Sequence, residues 1–390
     1  MGKIELDHTG SGGGVTLSSD GTDLLLDGTA VGGSPDLYRD NASSATTPSA
    51  TGSNAVAIGS NSASSGNQSV ALGGGNASGL GAFAFGLSST SSSIYSNAFQ
   101  RSTASGQGSF AAGSNGNNVG SVAAGTGSVA LATSYASGNS SLAAAITNNT
   151  SSYGATGANS VAIGRLSKAS GADSFAIGDN NIVANGDAFA LGNTNNVGGG
   201  GTAFAIGTNH TVSGTLSACI GGSTSTASQT YAMTFGPYAK AAVQNAFIFG
   251  SKGWFSAGSA QGGMYILYAD TTDATPEVLT TTNSAAGSTN QIVLPNDSVY
   301  GFTGTVIARE DSSSTDDFAV WEIKGGAVRG ASASTTALGS YNINKISEST
   351  GASNWSIALS ADTTNGAVAI TVTGEAAHNI RWVATVNTTE

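Results

Sequence analysis

The sequence predicts an all-β protein in which a stack of short repeated coils is followed by an antiparallel β-sandwich. Three observations lead there. A phrase of the form apolar-Ala-apolar-Gly returns through the middle of the chain, with Gly164, Gly178, Gly192, Gly207, Gly221, Gly236 and Gly250 lying 14 or 15 residues apart. Of the 390 residues 57 are Gly and only 9% are charged, so small and neutral side chains dominate. Period-two apolar alternation begins only after the repeats end. A fixed period of this length signals stacked supersecondary units. Disorder, the other reading of a Gly- and Ser-rich chain, has no reason to space an apolar phrase so evenly.

Residues 1–50 form the first segment. Val15 to Leu17 and Leu24 to Leu26 read as short strands, with Asp20-Gly21 between them as a hairpin dipeptide and Asp27-Gly28 as a second turn. Asp20, Asp23 and Asp27 do not have the ligand spacing of an EF-hand loop, so turn chemistry accounts for them. Asn41 to Gly52 reads as a Ser/Thr/Ala connector.

Residues 51–255 carry the repeats. In Val56-Ala57-Ile58 the branched side chains point to one face and Ala to the other, as strand alternation requires. A small residue on that second face lets another layer approach closely. The closing Gly supplies a tight turn, and a run such as Ser62 to Ser69 returns the chain. One unit is thus one coil, and about fourteen coils fit between Val56 and Gly250. Such a coil encloses little apolar volume, so the stack needs caps or partners to cover its faces. Self-association around an axis would do this. The pattern degrades at Phe110-Ala111-Ala112-Gly113 and Val122-Ala123-Ala124-Gly125, and Thr147 to Gly157, with Asn148, Asn149 and Tyr153, reads as an inserted loop.

Residues 256–390 change character, with Trp321, Trp355 and Trp382 and 13 of the 23 acidic residues. Met264-Ile266-Tyr268, Phe318 to Ile323, Trp355-Ile357-Leu359, Val368-Ile370-Val372 and Ile380-Trp382-Ala384 alternate with period two between turn-rich stretches, the pattern of an antiparallel sandwich.

The phrase Asn159-Ser160-Val161-Ala162-Ile163-Gly164 resembles the head repeat of trimeric autotransporter adhesins, the YadA-like family. That resemblance, which covers about half of the chain, implies a left-handed parallel β-roll assembled as a homotrimer. Adhesins of the family also have a signal peptide, a coiled-coil stalk and a membrane-anchor barrel. Met1 to Leu6 has no signal-peptide pattern, and the sequence carries neither heptads nor an anchor. Roll repeats of this kind also occur in bacteriophage fibres, which leave the cell by lysis. The ending Ile380 to Val386 resembles the terminal domain of phage virion proteins. The expectation is therefore a trimeric fibre on the surface of a phage virion. Its N-terminal segment would dock to another virion protein, and its end domain would face a host-surface polysaccharide or protein. The alternatives are a capsid-decorating fibre without a specific receptor, a bacterial surface adhesin, and a polysaccharide-cleaving spike.

Chemistry-bearing residues are few. The net charge of −11 disfavours nucleic acid as a partner, and no stretch is long and apolar enough for membrane insertion. His8, His210 and His378 have no metal-ligand spacing, no nucleophile elbow or phosphate loop occurs, and Gly198 to Gly201 precedes a strand and reads as a turn. Cys219 replaces a small apolar residue in a repeat phrase and reads as core filler. Asp173, Asp179 and Asp187 beside turns, and Asp316 and Asp317 in a loop, are the carboxylates from which a glycosidase pair would have to come. Turn roles account for them. Trp321, Trp355 and Trp382 read as core, and Tyr300, Phe302 and Tyr341 are the looser candidates for stacking on sugars. The expectation is a protein without catalytic residues, cofactor or metal, whose receptor-binding residues the sequence does not single out.

Overall fold

Each repeat phrase builds one short strand because its centre must be small and its flanks can be large. In the computed structural model, the strands Val70–Leu72, Phe83–Phe85 and Asn97–Phe99 stack in parallel, with Ala71 opposite Ala84 and Ala84 opposite Ala98. These alanines are completely buried. The structure describes the backbone strands Ile4–Leu6, Val15–Ser19, Leu24–Leu26 and Thr29–Ala30, and residues 46–115, 119–252, 257–311 and 316–390 in full. The described residues contain no α-helix. The chain divides into two compact units, Met1–Thr133 and Ser134–Glu390.

In the first unit, the four N-terminal strands form an antiparallel sheet in chain order, with Ile4 opposite Leu17, Leu17 opposite Leu26, and Leu25 opposite Ala30. The two strands expected here are present. The turn residues Asp20, Asp23 and Asp27 lie outside the described residues, as does His8. The coils follow, each with a three-residue strand and a two-residue return strand, so that two parallel sheets run along the stack. The first return strand is Ser49–Ala50, paired with Ala63–Ser64, so the stack already begins inside the stretch read as a connector. Val122–Ala123 also departs from expectation. It pairs with Thr103–Ala104 and is a return strand, while Val129–Leu131 supplies the next phrase. The turn explains this, because a Cβ on Gly106 would meet the carbonyl of Gly125. Gly125 therefore continues the glycines of the return turn.

The second unit opens with coils of the same kind. Its phrase strands run Leu142–Ala144, Val161–Ile163, Phe175–Asp179, Phe189–Asn193, Phe204–Thr208, Ala218–Ser223, Met233–Phe235 and Phe247–Gly250. The expected insertion is shorter than Thr147 to Gly157, since Gly154–Ala155 already pairs with Tyr135–Ala136 and Lys168–Ala169. With the first unit, the chain carries a parallel β-solenoid of about fourteen turns. Gly164 closes its phrase at φ +101°, and a Cβ there would lie 1.9 Å from the carbonyl oxygen of Gly178, so conformation and stacking both exclude a side chain.

At the last coil the direction of pairing reverses. Phe247–Gly250 pairs antiparallel with Gln261–Thr271, and that strand pairs with Ile380–Thr389. Ser298–Glu310, Phe318–Arg329 and Ala337–Glu348 complete the sheet in that order. A second antiparallel sheet centres on Ala367–Thr373, which pairs with Ser356–Asp362, Glu277–Val278 and Ile292–Val293. Between the two sheets lie Trp321, Trp355 and Trp382, with ring centroids 5.6 Å apart for Trp321–Trp382 and 6.1 Å for Trp355–Trp382. The Trp382 indole N–H donates to Thr271 Oγ1 at 2.9 Å, so the polar end of this buried ring is satisfied. The alternation Met264-Ile266-Tyr268 does form a strand, but Tyr265, Leu267 and Ala269 are its buried side.

Candidate functional site

The solenoid interior is built mostly from small side chains, with Val183, Val197 and Val212 as larger members on its return strands. Besides the central small residue of each phrase, the serine that precedes several phrases is buried and donates back to a turn carbonyl. Ser160 bonds Gly157 O at 2.7 Å, Ser174 bonds Gly171 O at 2.6 Å and Ser217 bonds Gly214 O at 2.6 Å. Such bonds satisfy the carbonyls that a tight coil would otherwise bury without a partner. They give the chain's abundance of serine a structural role.

A second interior ladder went unnoticed in the sequence. Asn181 Nδ2 donates to Ile177 O and Gly192 O, both at 2.8 Å, and its Oδ1 accepts the Asn195 backbone N–H at 3.0 Å. Asn195 Oδ1 accepts from the His210 backbone at 3.0 Å, and His210 Nδ1 accepts from the Ser225 backbone at 3.2 Å. His210 Nε2 lies 3.2 Å from Ile206 O, so the neutral ring with its proton on Nε2 fits both contacts. Burial lowers the pKa of His210 below its ordinary value of 6.5, against the smaller opposing effect of the Ile206 and Ser225 backbone bonds. The signal was available: 181, 195, 210 and 225 repeat with the coil period.

Cys219 takes the central place of its phrase and is buried, and burial pushes its thiol up to about 11. That environment makes it an inert filler.

The outer face has the opposite character. The residues flanking the central Ala point outward and, apart from Asn97, are apolar, forming two ladders along the stack. Phe175, Phe189 and Phe204 occupy one ladder and lie opposite one another in register. Their rings neighbour each other at 6.3 and 5.1 Å. Phe235 and Phe249 stack at 5.5 Å on the second ladder. Phe175 remains 40% exposed and Phe249 53%. Phe83, Phe85, Phe99 and Phe110 make the corresponding clusters in the first unit. A single chain thus turns its largest apolar groups toward solvent on coil after coil, the mark of an interaction surface.

Asp173 and Asp187 fall at the same turn position of successive coils, the Asp187 backbone N–H donating to Ala172 O at 3.0 Å. Asp173 and Asp187 occupy left-handed turn positions, at φ +54° and +53°, where Asp and Asn are favoured. Asp173 accepts from Asn159 Nδ2 at 3.0 Å, and Asp179 pairs with Arg165 at 2.6 Å. Asp316 pairs with Arg309 at 2.8 Å, while the half-buried Ser349 hydroxyl donates to Asp317 at 2.6 Å. Among the described residues no group of three or more His, Cys, Asp and Glu converges as a metal site, and no helix is long and apolar enough to cross a membrane. Gly198 to Gly201 lies in a bend ahead of Phe204–Thr208, as expected. Trp321, Trp355 and Trp382 are buried core residues. Tyr300 and Phe302 are only 2% and 3% exposed, which overturns the expectation that they are open to sugars. Their places on the inner side of a long strand set this, since Tyr300, Phe302 and Val306 all face the core. Burial pushes the Tyr300 hydroxyl up to about 12. Tyr341, on the edge strand, is the one of the three that stays exposed.

Residues 50–76 and 155–181 each match the model of the YadA head domain repeat. A search of curated proteins finds no match. Among solved structures, the chain is similar to a tailspike protein of the Acinetobacter baumannii bacteriophage Fri1, described as a capsular polysaccharide depolymerase. The two are 10% identical with a TM-score of 0.22, and the match covers 58% of this chain and 39% of that one. The chain therefore spans well under half of that tailspike's length. Head repeats of the YadA type, set on a parallel β-solenoid, are what these comparisons find in the chain.

Proposed function

We propose that the chain is a homotrimeric fibre of a bacteriophage virion that holds the particle to a host surface. The observation that carries this reading is the pair of outward apolar ladders. An interior mostly of Ala and Ser leaves each coil modest hydrophobic stabilisation, while each half-exposed Phe, Ile or Leu outside would contribute about 1 kcal/mol if covered. Identical rods around an axis cover these ladders with each other, so every coil adds to the assembly. The YadA-type repeats support the same stoichiometry.

In this reading residues 1–50 dock to another virion protein, residues 51–255 act as the spacer and residues 256–390 form the tip. The tip meets a host polysaccharide or protein. Three tips on one fibre convert weak contacts into firm attachment, because the second and third contacts form at high effective concentration. Adhesion requires no chemical step, and Asp173, Asp179, Asp316 and Asp317 have structural partners in the chain. Light scattering on the purified protein tests the stoichiometry. A molar mass near three times 37.9 kDa supports the fibre, and a well-folded monomer overturns it.

A further inference from the structure

The outward ladders do not stop where the solenoid does. Phe247 lies opposite Met264 across the antiparallel junction, and Met264 in turn lies opposite Asn387. The outer face of the coils therefore runs on as the outer face of the large C-terminal sheet. On that face Tyr268, Val383, Ile307 and Val320 are direct cross-strand neighbours, making one apolar row across four strands. Tyr268 is 39% exposed, Val383 44% and Ile307 48%. We propose that this row is a second contact between copies of the chain, so that the C-terminal domains assemble through the same face as the solenoid. The proposal rests on the trimeric reading given above and extends it to the tip.

Charge argues for a second copy over a different partner. Around a symmetry axis identical residues approach one another, so an unpaired charge would meet its own kind. The neighbouring rows, Ile266–Thr385–Thr305 and Met264–Asn387–Thr303, carry no charge on the first three strands and end on the fourth at Glu322 and Lys324, two residues apart and opposite in sign, so that copies packed side by side can pair them. Charges also appear at the border row Asp270–Arg381–Arg309, where they are already satisfied within the chain. Arg381 pairs with Asp311 at 2.8 Å, Arg309 with Asp316 at 2.8 Å, and Asp270 accepts from Asn283 at 2.9 Å. An apolar centre with a neutralised border suits self-packing. It also places host contact elsewhere, on the rim of the domain.

Thiol labelling tests this in the full chain. Val383→Cys puts a small reporter in the row. Ser334→Cys puts one in an exposed turn. Cys219, buried and with its thiol pushed up to about 11, stays silent unless the chain unfolds and so reports folding in every sample. With a maleimide probe, the row position should label at least about tenfold more slowly than the turn position in the native protein, and equally fast once denatured. Equal native rates in a protein with the mass of a trimer overturn the proposal and leave the trimeric solenoid standing. A monomeric mass removes both. Protection that appears only when host-surface polysaccharide is added also overturns it, since the row would then be a receptor site.

Discussion

The solenoid and the C-terminal sandwich of the second unit bury opposite kinds of side chain. The sandwich surrounds Trp321, Trp355 and Trp382 with Tyr265, Leu267, Ile323 and Val386, all nearly inaccessible. The solenoid buries Ala162, Ala176, Ala190 and Ala205, with Ser160 and Ser174 beside them, and leaves its phenylalanines outside. Apolar burial therefore holds the sandwich together within one chain. The solenoid depends on stacked backbone bonds and satisfied polar ladders, and its apolar groups are kept for a neighbour. The lesson is that one chain can spend its large side chains on folding in one place and on assembly in another.

Deleting bulk should separate the two regions most clearly. Trp382→Ala removes a ring that contacts both other tryptophans and a hydrogen bond to Thr271. The loss should be about 3–5 kcal/mol, read as the shift of the sandwich transition in urea. A loss under about 1 kcal/mol would mean that this core can close over the gap, and the contrast with the solenoid would weaken.

Adding bulk should do the reverse. Ala176 is fully enclosed between Ala162 and Ala190 of the neighbouring coils. Ala176→Leu should cost about 1–3 kcal/mol through overpacking, measured in the solenoid transition with the sandwich transition unmoved. An unchanged solenoid would show that the coil is roomier than its stacking implies.

These contrasts also mark what could be read from residues alone. The coil was legible because Val161-Ala162-Ile163-Gly164 states in four letters which side is in, which is out and where the chain turns. The sandwich strands were legible by period two. Their orientation was harder, because Met264-Ile266-Tyr268 and Tyr265-Leu267-Ala269 are both apolar and only the packing decides which set is buried. Tyr300 and Phe302 were misplaced for a related reason. Gly301 and Gly304 interrupt the apolar alternation in the letters, whereas Ser298–Glu310 is an unbroken strand. Val122–Ala123 was ambiguous because a return strand can spell the same letters as a phrase, and only the neighbouring glycine turns resolve it. The outer row across the C-terminal sheet was invisible, since its members come from four distant strands.

The smallest expected effect concerns the polar ladder inside the solenoid. His210 is held neutral, with Nδ1 accepting from Ser225 and Nε2 facing Ile206 O. Its folded pKa lies below 6.5 because of burial. The unfolded chain therefore takes up the proton first as the pH falls, and the stability of these coils decreases with falling pH below about 6.5. Above that value the contribution is fully present. Asn181 and Asn195 fill the same ladder position with an uncharged amide that makes equivalent bonds to the carbonyl four residues back and from the next coil's backbone N–H. His210→Asn should therefore match the parent at pH 8 and be more stable than it at about pH 5 in the solenoid transition. His378, 2.8 Å from Glu310, is common to both proteins, so the difference between them reads His210 alone. Parallel pH profiles for the two would mean that the ladder opens to take up the proton without loss. The interior would then be softer than its hydrogen bonds indicate, and the solenoid would lean still more on the apolar contacts outside it.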